Sequence, residues 1–164
     1  MTSLRELTQS DLEGVVEINN AGYPAVPIAT LEEISHLYGI SSYRMAALND
    51  EGEVVGFALA LDPGADYDSE NYVFFESRFE NHLYIDRIVV ADSARGLGLG
   101  TALYEHLFDF ARAHGRSAVT CEVNLEPPNP GSLRFHRRFG FEDVDTQATK
   151  GGAVVVQLLQ APLV

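Results

Sequence analysis

Apolar residues recur along this chain with two periods, and the changes of period divide it into elements. The stretch SLREL (3–7) reads as a short strand. Leu12, Val15, Val16 and Ile18 then fall on one side of a helix that Thr8 or Ser10 can cap and that reaches about Ala21. A second helix is predicted over TLEEISHLYG (30–39), where Thr30 and Glu33 have the spacing of a capping box and Gly39 supplies the stop. YRMAAL (43–48) and EVVGFALAL (53–61) are strands on either side of NDEG, a hairpin turn signal.

An acidic loop, DPGADYDSEN, follows, then an aromatic stretch, YVFFESRF, to which the pattern assigns no element, and a strand, LYIDRIVV (83–90). After the glycine turn RGLGLG a helix runs to about His114, with Leu99, Leu103, Leu107, Phe110 and Ala111 on the face that a sheet would cover. SAVTCEVN is a strand, LEPPNPG a loop, SLRFHRRF a short helix, and GFEDVDT and AVVVQLL are closing strands. The order β-α-α-β-β-β-α-β-α-β-β predicts an α/β protein: a mixed sheet carrying about four helices, in a single domain over residues 1–164.

The glycine turn joins a strand to a helix. There the first helical N–H groups lack intrahelical partners and the helix dipole adds partial positive charge, which together favour phosphate. Gly96, Gly98 and Gly100 would let backbone approach a ligand without Cβ interference, and Arg95 adds charge and donors. A tight turn with no ligand explains the glycines as well. A P-loop requires Lys followed by Ser or Thr after its last glycine, and no lysine stands there. The G-x-G-x-G spacing also departs from the dinucleotide fingerprint G-x-G-x-x-G, although Glu122 lies about twenty residues on.

Composition narrows the partners. The net charge of −13 argues against nucleic acid and anionic membrane, both polyanions, and is compatible with a cationic amine. No apolar run approaches the ~18 residues of a membrane helix, and the N-terminal residues lack the pattern of a secretory signal, so a cytoplasmic protein is expected. The single cysteine, Cys121, excludes an internal disulfide and reads as a core residue within SAVTCEV. No metal is expected.

The register Arg95-x-x-Gly98-x-Gly100 resembles the R/Q-x-x-G-x-G/A signature of the GNAT superfamily of N-acetyltransferases. The strand IDRIVVADSA before it, the long helix after it and NPGSLRFHRRFGF, similar to the family's N-x-x-A/S-x-x-L/F-Y-x-x-x-G-F with Asn129, Ser132, Phe135, Gly140 and Phe141 in place, extend the likeness over nearly the whole chain. The resemblance implies a mostly antiparallel sheet splayed between its fourth and fifth strands, with acetyl-CoA as cosubstrate. It implies that Arg95, Gly96, Leu97, Gly98, Leu99, Gly100 and Thr101 hold the pyrophosphate. Ile88, Val89 and Val90 would pair with the pantetheine and polarise the thioester, and Asn129 would reach the coenzyme. The family's tyrosine, which protonates the departing thiolate, is replaced here by His136.

Acetyl transfer requires an acid for the sulfur and a base for the amine. His136 can fill the acid position, or cap and pack its helix. Tyr84, Asp86, Ile88 and Val90 share a strand face, and a carboxylate in an apolar strand needs a partner. Asp86 is therefore the first candidate for a base or amine-binding group, with Glu76 and Glu80 as alternates; the competing reading is a salt bridge to Arg87 or Arg137. The acceptor is expected to be a small-molecule amine. Tyr23, Tyr67, Tyr72, Phe74 and Phe75 would line its pocket, and Asp66, Asp68, Glu70 and Glu76 would attract a cation. The competing reading is a solvated acidic loop beside an aromatic core. A non-catalytic acyl-CoA sensor is the functional rival. The valine-rich GGAVVVQLL could offer a sheet edge for a homodimer, or be covered within the monomer.

Overall fold

The computed structural model describes residues 3–163. In chain order the strands and helices are β1 (Ser3–Glu6), α1 (Leu12–Ala21), α2 (Leu31–Ile40), β2 (Tyr43–Leu48), β3 (Val54–Leu61), α3 (Glu70–Arg78), β4 (His82–Val90), α4 (Leu99–Ala113), β5 (Ala118–Glu126), α5 (Pro130–Arg138), β6 (Glu142–Thr149) and β7 (Val154–Pro162). They form a mixed α/β protein on a seven-stranded sheet of order β1-β2-β3-β4-β5-β7-β6. β4 and β5 pair in parallel, from His82 opposite Ala118 to Tyr84 opposite Thr120. A parallel pair needs a crossover, which α4 supplies. The pairs β1–β2, β2–β3, β5–β7 and β6–β7 are antiparallel.

The chain divides into two compact units, one running through Leu61 and resuming at Ile85–Phe110, the other made of Asp62–Tyr84 and the residues from Ala111 onward. In the first, α1 buries Leu12 and Val15 and α2 buries Ile34 and Leu37. Both bonds of the Thr30–Glu33 capping box form, Glu33 N–H to Thr30 Oγ1 at 3.1 Å and Thr30 N–H to Glu33 Oε1 at 3.0 Å. Gly39 does not stop this helix. It continues to Ile40, and Ser41 ends it, its hydroxyl donating to the Leu37 carbonyl at 2.6 Å. Thr8 caps a short 3-10 turn, Gln9–Asp11, that leads into α1. Asp11 there is paired with Arg5 at 2.8 Å, which holds its carboxyl down at about 2. α4 places Phe110 edge-on to Tyr43 of β2, ring centroids 5.1 Å apart.

In the second unit the aromatic stretch folds as α3, a fifth helix that the sequence pattern did not yield. Ser69 caps it by accepting from the Tyr72 N–H at 3.5 Å, and Tyr72 and Phe75, three residues apart, turn one face inward. Burying two such rings stabilises the helix by about 1.5–3 kcal/mol each, more than the modest helix propensity of aromatic residues costs. The valine-rich strand is not an edge. β7 lies between β5 and β6, and the outer strand is β6, which carries Glu142, Asp143 and Asp145. Among the described residues, no helix is long and apolar enough to cross a membrane.

Candidate functional site

In the first unit, β4 leads through a 3-10 turn, Asp92–Ala94, into the glycine turn and α4. Gly96 and Gly98 have φ of +83° and +76°, the left-handed region where a Cβ is strained, so the turn itself accounts for these two glycines. Gly100 is different. It lies in the first turn of α4 with ordinary helical backbone, and a Cβ built there meets no heavy atom within 4 Å. Neither conformation nor internal packing requires a glycine at that position, where glycine costs about 1 kcal/mol relative to alanine. The Gly98 carbonyl accepts the Ala102 N–H at 3.0 Å, which makes Gly98 the point where the helix begins. Arg95 is exposed and pairs with Asp92 at 2.8 Å, and Leu97 is also exposed.

Upstream, β3 approaches the backbone of β4 closely. A Cβ on Gly56 would lie 3.0 Å from the Val89 carbonyl and 3.4 Å from the Val90 Cα, so this glycine answers to packing. Ile88, Val89 and Val90 are thus set against β3 by a residue without a side chain. Two positions earlier, Asp86 is largely buried and accepts from Arg87 Nε at 3.3 Å. The ion pair is with Arg87. Arg137 is engaged elsewhere, with Asp143 at 2.9 Å.

In the second unit, Asn129 and His136 belong to one helix and its entry. Asn129 caps α5 through its backbone carbonyl, which accepts the Leu133 N–H at 3.2 Å, while its side chain makes no capping bond. His136 is buried, edge-on to Phe141, and its Nδ1–H donates to the Ser132 carbonyl at 2.7 Å. A carbonyl only accepts, so this bond fixes the neutral tautomer with the proton on Nδ1. Burial lowers the pKa of the ring, and the Ser132 bond opposes that only in part.

The same unit holds a second polar cluster. His82 is fully buried, with Nε2 2.8 Å from Glu76 Oε1 and Nδ1 2.8 Å from Thr120 Oγ1. Burial pushes its pKa down against the pull of Glu76, so the ring is neutral: Nε2–H donates to Glu76 and Nδ1 accepts from the threonine hydroxyl. One rung along, the Tyr84 hydroxyl donates to Glu122 Oε1 at 2.6 Å. His82 and Tyr84 share a face of β4, Thr120 and Glu122 a face of β5, and each bond runs diagonally, two residues beyond the register partner. Glu122, half-buried, entered the sequence reading only through its spacing from the glycine turn, as in a dinucleotide fingerprint. Its pairing with Tyr84 depends on the parallel register, which no local pattern reveals.

Of the residues expected to line an acceptor pocket, Tyr72 and Phe75 are core, packed around Tyr84 and His82. Tyr23 is 62% exposed. Asp66, Asp68 and Glu70 are exposed, and Glu76 accepts from both His82 and the Gly64 N–H. Cys121 is buried, as expected, and burial raises its thiol well above the ordinary range.

Comparison with known proteins gives one answer. The sequence profile of the Acetyltransferase (GNAT) family matches residues 5–141. The Probable N-acetyltransferase san of Drosophila melanogaster is 35% identical over 69 residues, 42% of this chain and 36% of that one, so the chain matches about a third of that relative's length. An L-methionine sulfoximine/L-methionine sulfone acetyltransferase of Pseudomonas paraeruginosa is 28% identical over 150 residues, 85% of this chain and 80% of the relative. The crystal structure of a GNAT superfamily phosphinothricin acetyltransferase from Sinorhizobium meliloti in complex with AcCoA superimposes with a TM-score of 0.74 at 24% identity, covering 99% of this chain and 88% of that one.

Proposed function

The chain belongs to the GNAT family of acetyltransferases, and from that premise we propose that it moves the acetyl group of acetyl-CoA to the primary amine of a small acceptor by direct transfer in a ternary complex. The observation that carries the reading is Gly100. A glycine in a helical first turn, with open space where its Cβ would be, costs stability and leaves the backbone N–H groups there open to a ligand. A pyrophosphate on the N–H groups from Arg95 to Thr101 fits that position and the helix dipole. Arg95 is available to it once it leaves Asp92, an exposed pair that holds it weakly. Ile88, Val89 and Val90 offer backbone groups to the pantetheine, and Asn129, whose side chain is not used for capping, offers an amide.

In the transfer the amine nitrogen bonds to the acetyl carbon, the carbon–sulfur bond breaks, and the sulfur leaves with the bonding pair. One proton must come off the nitrogen and one must reach the sulfur. His136 is the proposed group for the sulfur. Its proton on Nδ1 is committed to Ser132, so it serves as donor from Nε2 only after collecting a proton, and a lowered pKa makes it release that proton readily. For the amine, two carboxylates compete. Asp86 is paired with Arg87, and Glu122 accepts from the Tyr84 hydroxyl. Glu122, oriented by that hydroxyl, is the proposed base, and Asp86 acts through Arg87. The named activity of the Pseudomonas relative, which matches most of this chain, supports an amino-acid-like acceptor.

The test is a calorimetric titration with acetyl-CoA of the wild type and Gly100→Glu, with CoA release assayed against L-methionine sulfone, phosphinothricin and a peptide with a free N-terminus. A glutamate in the first turn suits the helix dipole but repels phosphate. The variant should therefore fold as well as the wild type and lose acetyl-CoA binding at least tenfold. Equal binding by both proteins would remove the pyrophosphate from the glycine turn. Binding by the wild type with no CoA release from any amine would favour a sensor over a transferase.

A further inference from the structure

The segment joining α1 to α2 contains Pro24 and Pro27, which have no N–H; its first half turns on Gly22, whose carbonyl accepts from the Ala25 N–H at 3.0 Å, and side chains supply further bonds that fix the rest. Arg87, its side chain 11% exposed, donates from one guanidinium nitrogen to Asn19 Oδ1 at 2.9 Å and to the Pro27 carbonyl at 2.7 Å. Asn19 is completely buried, and its amide donates to the same Pro27 carbonyl at 2.9 Å and to Asn20 Oδ1 at 3.0 Å. Asn20 in turn accepts from the Ala29 N–H at 2.9 Å and donates to the Ala29 carbonyl at 3.1 Å, standing in for a strand partner. At its other end the segment is seated on β4, because a Cβ on Gly22 would lie 3.2 Å from Val89 Cγ1.

Burying an arginine and an amide is expensive, and such groups are weak as sources of stability. This network instead holds apolar side chains outward: Tyr23 is 62% exposed, Ile28 59% and Leu31, the first residue of α2, 43%. We propose that Arg87 is a positioning residue for acceptor recognition, holding residues 22–30 so that Tyr23 and Ile28 meet an apolar substituent of the acceptor amine. The inference rests on the acetyl-transfer reading, since it makes the segment beside Val89 a wall of the acceptor site. Asp86 belongs to the same device, as the carboxylate that orients the guanidinium.

Removing the arginine outright risks the fold, so the test uses Arg87→Lys, which keeps the charge but cannot reach three acceptors, and Asn20→Ala, which releases Ala29 and one of the two bonds of the Asn19 amide but leaves Arg87 in place. The readouts are hydrogen exchange of the amides of residues 22–31, calorimetry with acetyl-CoA, and steady-state rates with phenethylamine, L-methionine sulfone and a peptide with a free N-terminus. Both variants should exchange at least tenfold faster in that segment alone. Their acetyl-CoA affinity should stay within twofold of wild type, and the KM of phenethylamine should rise about tenfold with kcat within twofold. Ile28→Ser, which touches none of the clamp, should raise the same KM without changing exchange. Unchanged exchange would overturn the positioning role. Faster exchange with an unchanged KM, or no turnover of the three amines by a wild type that binds acetyl-CoA, would overturn the acceptor role. A wild type that does not bind acetyl-CoA would instead sink the transfer reading and the acceptor role with it, while exchange would still decide whether Arg87 holds the segment.

Discussion

Along β4, carboxylates are answered in two different ways. Toward its C-terminal end, Asp86 is answered by a full positive charge, and the pair as a whole is neutral. Toward its N-terminal end, Glu76 and Glu122 accept hydrogen bonds from the His82 ring and the Tyr84 hydroxyl. The first arrangement suits holding something still, because an ion pair with further hydrogen bonds has one good geometry. The second suits proton chemistry, because a carboxylate satisfied by a neutral donor can still accept a proton. A buried acid is therefore a candidate base according to what answers it, more than according to its strand position.

Substitutions at each end should separate these roles. The largest effect is expected at the charged end: Arg87→Met should cost about 3–5 kcal/mol in urea unfolding by taking the paired cation away from a buried Asp86, and Asp86→Asn combined with Arg87→Met should recover much of it. Additive losses would mean that the two side chains do not work as a pair. At the neutral end His82→Gln should cost about 2 kcal/mol, by disturbing the bonds to Glu76 and Thr120.

Acid should expose the same difference. His82 and His136 are both held below the ordinary imidazole value by burial, so the unfolded chain binds protons that the folded chain refuses. Their contribution is complete above about pH 6.5 and is lost as the pH falls from there toward the lower folded values. The urea midpoint should drop between pH 7.5 and 5.5, and less so in His82→Gln. A flat profile would show that His82 is not kept neutral. A smaller cost, about 1 kcal/mol, is expected for Tyr84→Phe. If Glu122 is the base, kcat should fall in the same variant, because the bond that orients its carboxylate is gone. Asp92→Ala, which breaks only the exposed pair with Arg95, should leave the midpoint where it is.

Most of this fold was legible because its elements announce themselves locally. The Thr30–Glu33 box, the NDEG hairpin and the apolar face of α4 depend on residues within a few positions of one another. α3 was not legible, since YVFFESRF is equally apolar read with either period and only its packing around Tyr84 and His82 selects the helix. The glycine turn and Asn129 stood out as motifs. The partner of Asp86 was one of two named in advance, but the reach of Arg87 to Asn19 and Pro27, some 60 residues earlier, could not be read from the strand. Glu122 was missed as a candidate base for the same reason: its meaning depends on a diagonal contact across a parallel pair.

Gly100 has one more consequence. A protein that folds, resists proteolysis and presents its whole surface, yet ignores its coenzyme because of one side chain in open space, is a reagent as much as a variant. Expressed in place of the wild type in a cell, Gly100→Glu would separate what depends on acetylation from what depends only on the presence of this chain.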